Sequence, residues 1–168
     1  MHPYAPPLQR AVLCPARALL PASGAAPYLR SAARPHPGLV LSLTLPGDPR
    51  SAAVGRRAVA AALPAYGLRS RAWPASHAVT ELIAVNAALT PGRELYLSLR
   101  ERDGALRLVL WDQHPRHADP DTLALCEGRR RQALWLLAAV VDDWGGDWGI
   151  AEARPPHQGV RSWVLLPQ

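Results

Sequence analysis

The chain has 168 residues, 49% of them hydrophobic, with 19 Lys+Arg against 13 Asp+Glu and a formal net charge of +6. That length holds one well-buried domain and a short extension, and no apolar run approaches the ~20 residues of a membrane-spanning helix. Positive charge ordinarily points to a polyanion. Here every basic residue is Arg, Lys and Phe are absent and Ile and Asn are scarce, so GC-rich coding accounts for the excess and nucleic acid is not indicated.

Cys14 and Cys126 stand far apart with no CxxC spacing, which argues against a disulfide framework or a zinc site and fits a reducing compartment. Met1-His2-Pro3-Tyr4 lacks the charged start and apolar core of a secretory signal. The expectation is a cytoplasmic protein.

Residues 1–37 are rich in Pro, Ala and Arg, and seven prolines from Pro6 to Pro37 interrupt every candidate element. Pro removes a backbone donor and pushes its predecessor toward extended geometry, so this segment reads as a flexible tail. The folded domain, 38–168, opens with a strand over Leu39–Leu45. Asp48-Pro49 then offers a cap and a first helical residue for a helix to about Leu63, ended by Pro64 and Gly67. A second helix runs from about Pro74 to Leu89, with Val79, Leu82, Ile83, Asn86 and Ala87 on its apolar stripe. Glu94–Arg100 alternates as a strand, Asp103-Gly104 is a hairpin turn, and Leu106–Trp111 is the return strand. A polar loop over Asp112–Asp121 leads to a third helix at about Arg129–Asp143, ended by Trp144-Gly145-Gly146. Strands at Trp148–Ala153 and Val160–Leu166 close the domain.

Strand, two helices, hairpin, helix, hairpin predicts an α+β fold. The expected form is a two-layer α/β sandwich with a mixed, mostly antiparallel sheet covered on one face by three helices. With six Trp and no Phe, Trp73, Trp111, Trp135 and Trp163 are expected to fill core volume.

The ordered motifs resemble the GHKL, or Bergerat-fold, ATP-binding proteins, and within them the anti-sigma-factor serine/threonine kinases. The likeness spans Leu39 to Leu166. It rests on Leu45-Pro46-Gly47-Asp48-Pro49, the helix carrying Glu81, the Arg102-Asp103-Gly104 hairpin with Trp111-Asp112 at its end, and Leu134-Trp135-Leu136-Leu137. Asp143-Trp144-Gly145 and Gly159-Val160-Arg161-Ser162-Trp163 complete it.

The resemblance implies ATP and Mg²⁺ as cofactors and phosphate transfer to Ser or Thr of a partner protein. Glu81 takes the role of general base, Asn86 holds Mg²⁺, Asp112 accepts from the adenine amino group, and Arg129, Arg130 and Arg131 lie near the phosphates. The implied partner is a regulatory protein such as a sigma factor or an anti-sigma antagonist, with room for a homodimer and no membrane.

Glu81 and Asp112 match the family's residues, but the chain departs from the family pattern around them. The family's Asn lies four residues after its Glu, where this chain has Val85. Asn86 falls one residue late, roughly 140° around the helix axis from Glu81. A π-bulge would return Asn86 to the face of Glu81; otherwise Asn86 is a core residue tied to backbone. Where the family has glycines beside its adenine-binding Asp and before its third helix, this chain has His114, Arg116 and Arg131-Gln132-Ala133, with Gly128 slightly upstream.

Read without the resemblance, Glu81 is a solvated helix charge, Asp112 a turn former and Arg129–Arg131 a basic face at a helix start, where the helix dipole disfavours cations. His114 and His117 form one HxxH loop with no second ligand cluster, and a metal is set aside. The alternative function is a nucleotide-free interaction module that retains the fold to bind a regulator.

Overall fold

Period-two leucines build the sheet. The computed structural model describes residues 38–153 and 158–167; the tail expected at 1–37 lies outside them. Strand β1 is Val40–Pro46, β2 Glu94–Arg102, β3 Ala105–Asp112, β4 Asp147–Glu152 and β5 Val160–Leu166. They pair in the order β1-β2-β3-β5-β4, each pair antiparallel. Leu95, Leu97 and Leu99 of β2 and Leu106, Leu108 and Leu110 of β3 point to one face and are fully buried. Tyr96, Arg100 and Arg107, one residue out of phase, are exposed on the other, as alternating Cβ directions require.

The buried face is covered by helices. Helix α1 (Arg50–Ala65) buries Ala52, Gly55, Val59 and Leu63, and α2 (Ala72–Leu89) buries Val79, Leu82, Ile83, Asn86 and Ala87. Both follow the three-to-four-residue spacing of an amphipathic helix. Gly55 lets the two helices close, because a Cβ there would collide with the side chains of Ile83 and Val79. At the start of α1, Asp48 Oδ1 accepts from the backbone N of Arg50 at 2.8 Å, and the Arg50 guanidinium donates to the same carboxylate. Those hydrogen bonds hold the Asp48 carboxyl down to about 2.

Asp103 (φ 52°) and Gly104 (φ 78°) form the β2–β3 turn, the paired positive φ of a type I′ hairpin. Arg71, buried in a 3-10 turn before α2, donates to Gly104 O at 2.8 Å and ties the hairpin to the helical layer. No helix among the described residues is long and apolar enough to cross a membrane.

Three expectations are corrected. The sheet is antiparallel throughout rather than mixed. The single helix expected at 129–143 is two: α3 (Pro120–Ala133) and α4 (Trp135–Asp143), parted at Leu134 with φ −95° and ψ 17°. The described residues therefore carry four α-helices, not three. The core is aliphatic rather than tryptophan-filled: Trp73 is 61% exposed and Trp135 67%, while Trp111 and Trp163 are half-buried on the open sheet face. Aliphatic side chains, leucine above all, fill most of the space between the layers, and Trp148, half-buried, packs against them.

Candidate functional site

Two polar residues occupy positions that the apolar patterns reserve for hydrophobic side chains. Asn86, the only asparagine in the chain, lies on the buried stripe of α2. Asp112 continues the inward series Leu106, Leu108, Leu110 at the end of β3. Asn86 is 1% exposed and Asp112 2%, so each needs a partner inside the protein.

One residue satisfies both. The Nη1 of Arg130, itself 1% exposed, donates to Asp112 Oδ2 at 2.6 Å and to Asn86 Oδ1. The remaining capacity of the acceptors is committed too. Asp112 Oδ1 accepts from the backbone N of His114 at 3.0 Å and of Val160 at 3.1 Å, and Asn86 Nδ2 donates to Leu82 O at 2.6 Å. Gly159, with φ +100°, brings β5 close to the carbonyl of Asp112; a Cβ there would collide with it. Only Arg130 Nη2 is left without a partner in this group.

The arginine run changes meaning with the helix boundary. Asp119 caps α3 by accepting from Thr122 N at 2.8 Å, and Pro120 follows at the first helical position. Arg129, Arg130 and Arg131 therefore sit at the C-terminal end of α3, not at a helix start, and there the dipole favours cations. At about 100° per residue the three point different ways. Arg130 turns inward, Arg129 is exposed, and Arg131 lies over the Trp148 ring, 5.8 Å from its centroid.

Glu81 is not part of this cluster. Helix α2 is uninterrupted from Ala72 to Leu89 with no π turn, so the bulge that would align Glu81 with Asn86 is absent. Glu81 is half-buried and in no ion pair among the described residues. The structure brings together Asn86, Asp112 and Arg130, and leaves Glu81, Arg129 and Arg131 outside.

The three joined residues do not fit ATP with Mg²⁺. Asn86 Oδ1, the atom that would ligate the metal, faces a guanidinium, and a second cation there meets repulsion that burial strengthens. Asp112 Oδ1 already accepts from two backbone amides and Oδ2 from Arg130, so an adenine amino group would have to share Oδ2 with the guanidinium. The space beside Arg130 amounts to about 10 Å³, bordered by His114, His117, Cys126 and Ile150.

Sequence reasoning grouped Arg130 with its neighbours and missed its role. The available signal was the pair of inward polar residues, whose common need is a cation with several donors. Cys126, set aside as isolated, packs against the HxxH loop, its Sγ 3.5 Å from His114 Nε2.

No family model and no curated protein matches the chain. Among solved structures, the mycobacterial sensor histidine kinase MprB is similar over 57% of this chain and 71% of that one, at 23% identity and a TM-score of 0.45. The functional reading rests on the geometry of Asn86, Asp112 and Arg130.

Proposed function

We propose that the protein is a nucleotide-free regulatory binding module, in which a buried arginine stands where the resemblance would put a nucleotide. The supporting observation is the Asn86–Arg130–Asp112 contact, which uses the polar groups a nucleotide would need.

Binding then falls to the surface, and the open sheet face has the chemistry for it. Tyr96, Arg100, Arg107, Val109, Trp111 and Arg161 border a depression of about 390 Å³. Arg100 and Arg107 are directly opposed across β2 and β3, a like-charge pair that costs stability. Neither they nor Arg161 has an acidic partner among the described residues. Residues 1–37 contain no Asp or Glu, so that segment supplies no countercharge.

Tyr, Trp and Arg are the residues that most often carry binding energy at protein interfaces. An acidic segment of a regulatory protein with apolar anchors fits this face. Sigma factors and their antagonists remain the partner class that the family resemblance suggests.

Titration calorimetry separates the readings. A Glu-rich, Leu-containing peptide is expected to bind, R107E to weaken that binding, and ATP with Mg²⁺ to give no heat at millimolar concentration. A saturable ATP isotherm would overturn the proposal. Oligonucleotide binding that falls steeply with salt would reassign the face to nucleic acid.

A further inference from the structure

The loop after β3 and the second turn of α3 bring three soft or borderline ligands together beside the Asp112–Arg130 pair. The ligand-capable atoms of His114, His117 and Cys126 all lie within 4.8 Å of one another, and each residue is half-buried. The two imidazole rings meet edge-on with centroids 5.1 Å apart.

One hydrogen bond beside them is of the kind a metal site uses. His114 Nδ1 lies 3.0 Å from Pro115 O. A carbonyl only accepts, so Nδ1 carries the proton and Nε2 turns its lone pair toward Cys126 Sγ. A backbone carbonyl fixing the tautomer in this way is the usual outer partner of a ligating histidine. His117 Nε2 and Arg130 Nη2, both beside one small cavity, are buried with no hydrogen-bond partner; of the two only the imidazole nitrogen can bind a metal. The cavity they border, about 10 Å³, has room for roughly one water-sized occupant.

We propose that His114, His117 and Cys126 form a binding site for a zinc-class divalent cation. Ligand bonds of about 2.0–2.3 Å in a tetrahedron place donor atoms roughly 3.3–3.8 Å apart, so small side-chain rotations close the set. One thiolate and two imidazoles select Zn²⁺ over Mg²⁺ or Ca²⁺, and the Cys126 thiol proton passes to solvent on binding. Arg130, Glu127 and Glu152 border the same cavity. The Arg130 charge is met by Asp112, the thiolate offsets part of the metal's charge, and a Glu carboxylate or a water completes the fourth position. Glu152 is already paired with Arg116 at 3.3 Å, which leaves Glu127 the freer of the two.

The consequence is mechanical. His114 and His117 belong to the loop that follows Asp112, and Cys126 lies one turn before Arg130 on α3. A metal joining them cross-links loop to helix and holds the Asp112–Arg130 contact closed. The proposal does not depend on what the sheet face binds.

The test uses the full chain after treatment with chelator, titrated with Co²⁺ and then Zn²⁺. The expected result is one equivalent of tetrahedral Co²⁺ with a thiolate charge-transfer band, bleached by Zn²⁺, and a Zn²⁺-dependent rise in unfolding temperature. C126S is expected to lose the band and H117A to weaken Co²⁺ binding, each by on the order of 100-fold or more in affinity, since even outer-shell changes cost 10–100-fold. C14S keeps both properties. Absence of the band in the unmutated chain, its survival in C126S, or its loss in C14S overturns the site. Should C126S fail to fold, H117A and C14S decide between the same outcomes.

Discussion

Arg130 carries the account at the scale of single residues. A charge with 1% exposure is tolerable only because Asp112 and Asn86 meet it, and breaking such a pair from one side strands the other charge. R130A and D112A should each lower stability by about 3–5 kcal/mol, measured by urea unfolding. The double variant should lose clearly less than the sum, since the two act on one interaction. Additive losses would mean the ion pair is not formed in the folded protein.

The same residues show what a sequence reveals. Asn86 and Asp112 announce themselves as polar breaks in apolar periodicities, one of period 3.6 and one of period 2. Arg130 does not, because it stands in a run of three arginines that differ only in the direction the helix gives them. That direction depends on where α3 begins.

At the scale of elements, the strands and the β2–β3 hairpin were legible because their signals are local. Leu95 to Leu99 alternates cleanly, and Asp103-Gly104 takes the positive φ its turn demands. Helices α1 and α2 were legible because each buries a broad apolar stripe. Helix α3 was not, for a physical reason: the only fully buried residue among its fourteen is Arg130, so it carries no hydrophobic period.

Its start signal was nevertheless present. Asp119-Pro120 repeats the Asp-Pro sequence of Asp48-Pro49, and Asp119, unlike Asp48, caps its helix, accepting both the backbone N and the hydroxyl of Thr122. With little packing to hold it, α3 leans on this cap. D119A should lower stability by about 1 kcal/mol and raise amide exchange selectively in the first turn of α3. Unchanged exchange there would show that packing, not the cap, holds the helix end.

Taken as a whole, the molecule divides its polar groups between two faces of one sheet. The helical side closes over a buried ion pair, and the open side displays aromatic groups and arginines (Arg100, Arg107, Arg161) that make no ion pair among the described residues. Charge left uncompensated across a strand pair is a local conflict, and such conflicts in otherwise consistent folds gather at functional surfaces. Replacing one member by an acid should relieve it. R107E is expected to raise stability by about 0.2–1 kcal/mol in urea unfolding while it weakens binding of an acidic peptide. A loss of stability would show that Arg107 makes contacts the fold needs and would remove the case for the face as a binding surface.

The tryptophans belong to this division too. Trp73, Trp111, Trp135 and Trp163 were expected inside because the chain has no Phe, yet aliphatic side chains fill the core and these four lie outside it, while Trp148 packs against its edge. Composition told how much aromatic area the chain has and could not tell on which side of the sheet it would lie.

The proposal that Arg130 occupies the place where the resemblance would put a nucleotide is tested most directly by thermal unfolding of the full chain in millimolar ATP with Mg²⁺. A ligand that binds only the folded state must raise the transition in proportion to its occupancy. The account predicts no change; a saturable, concentration-dependent rise would contradict it.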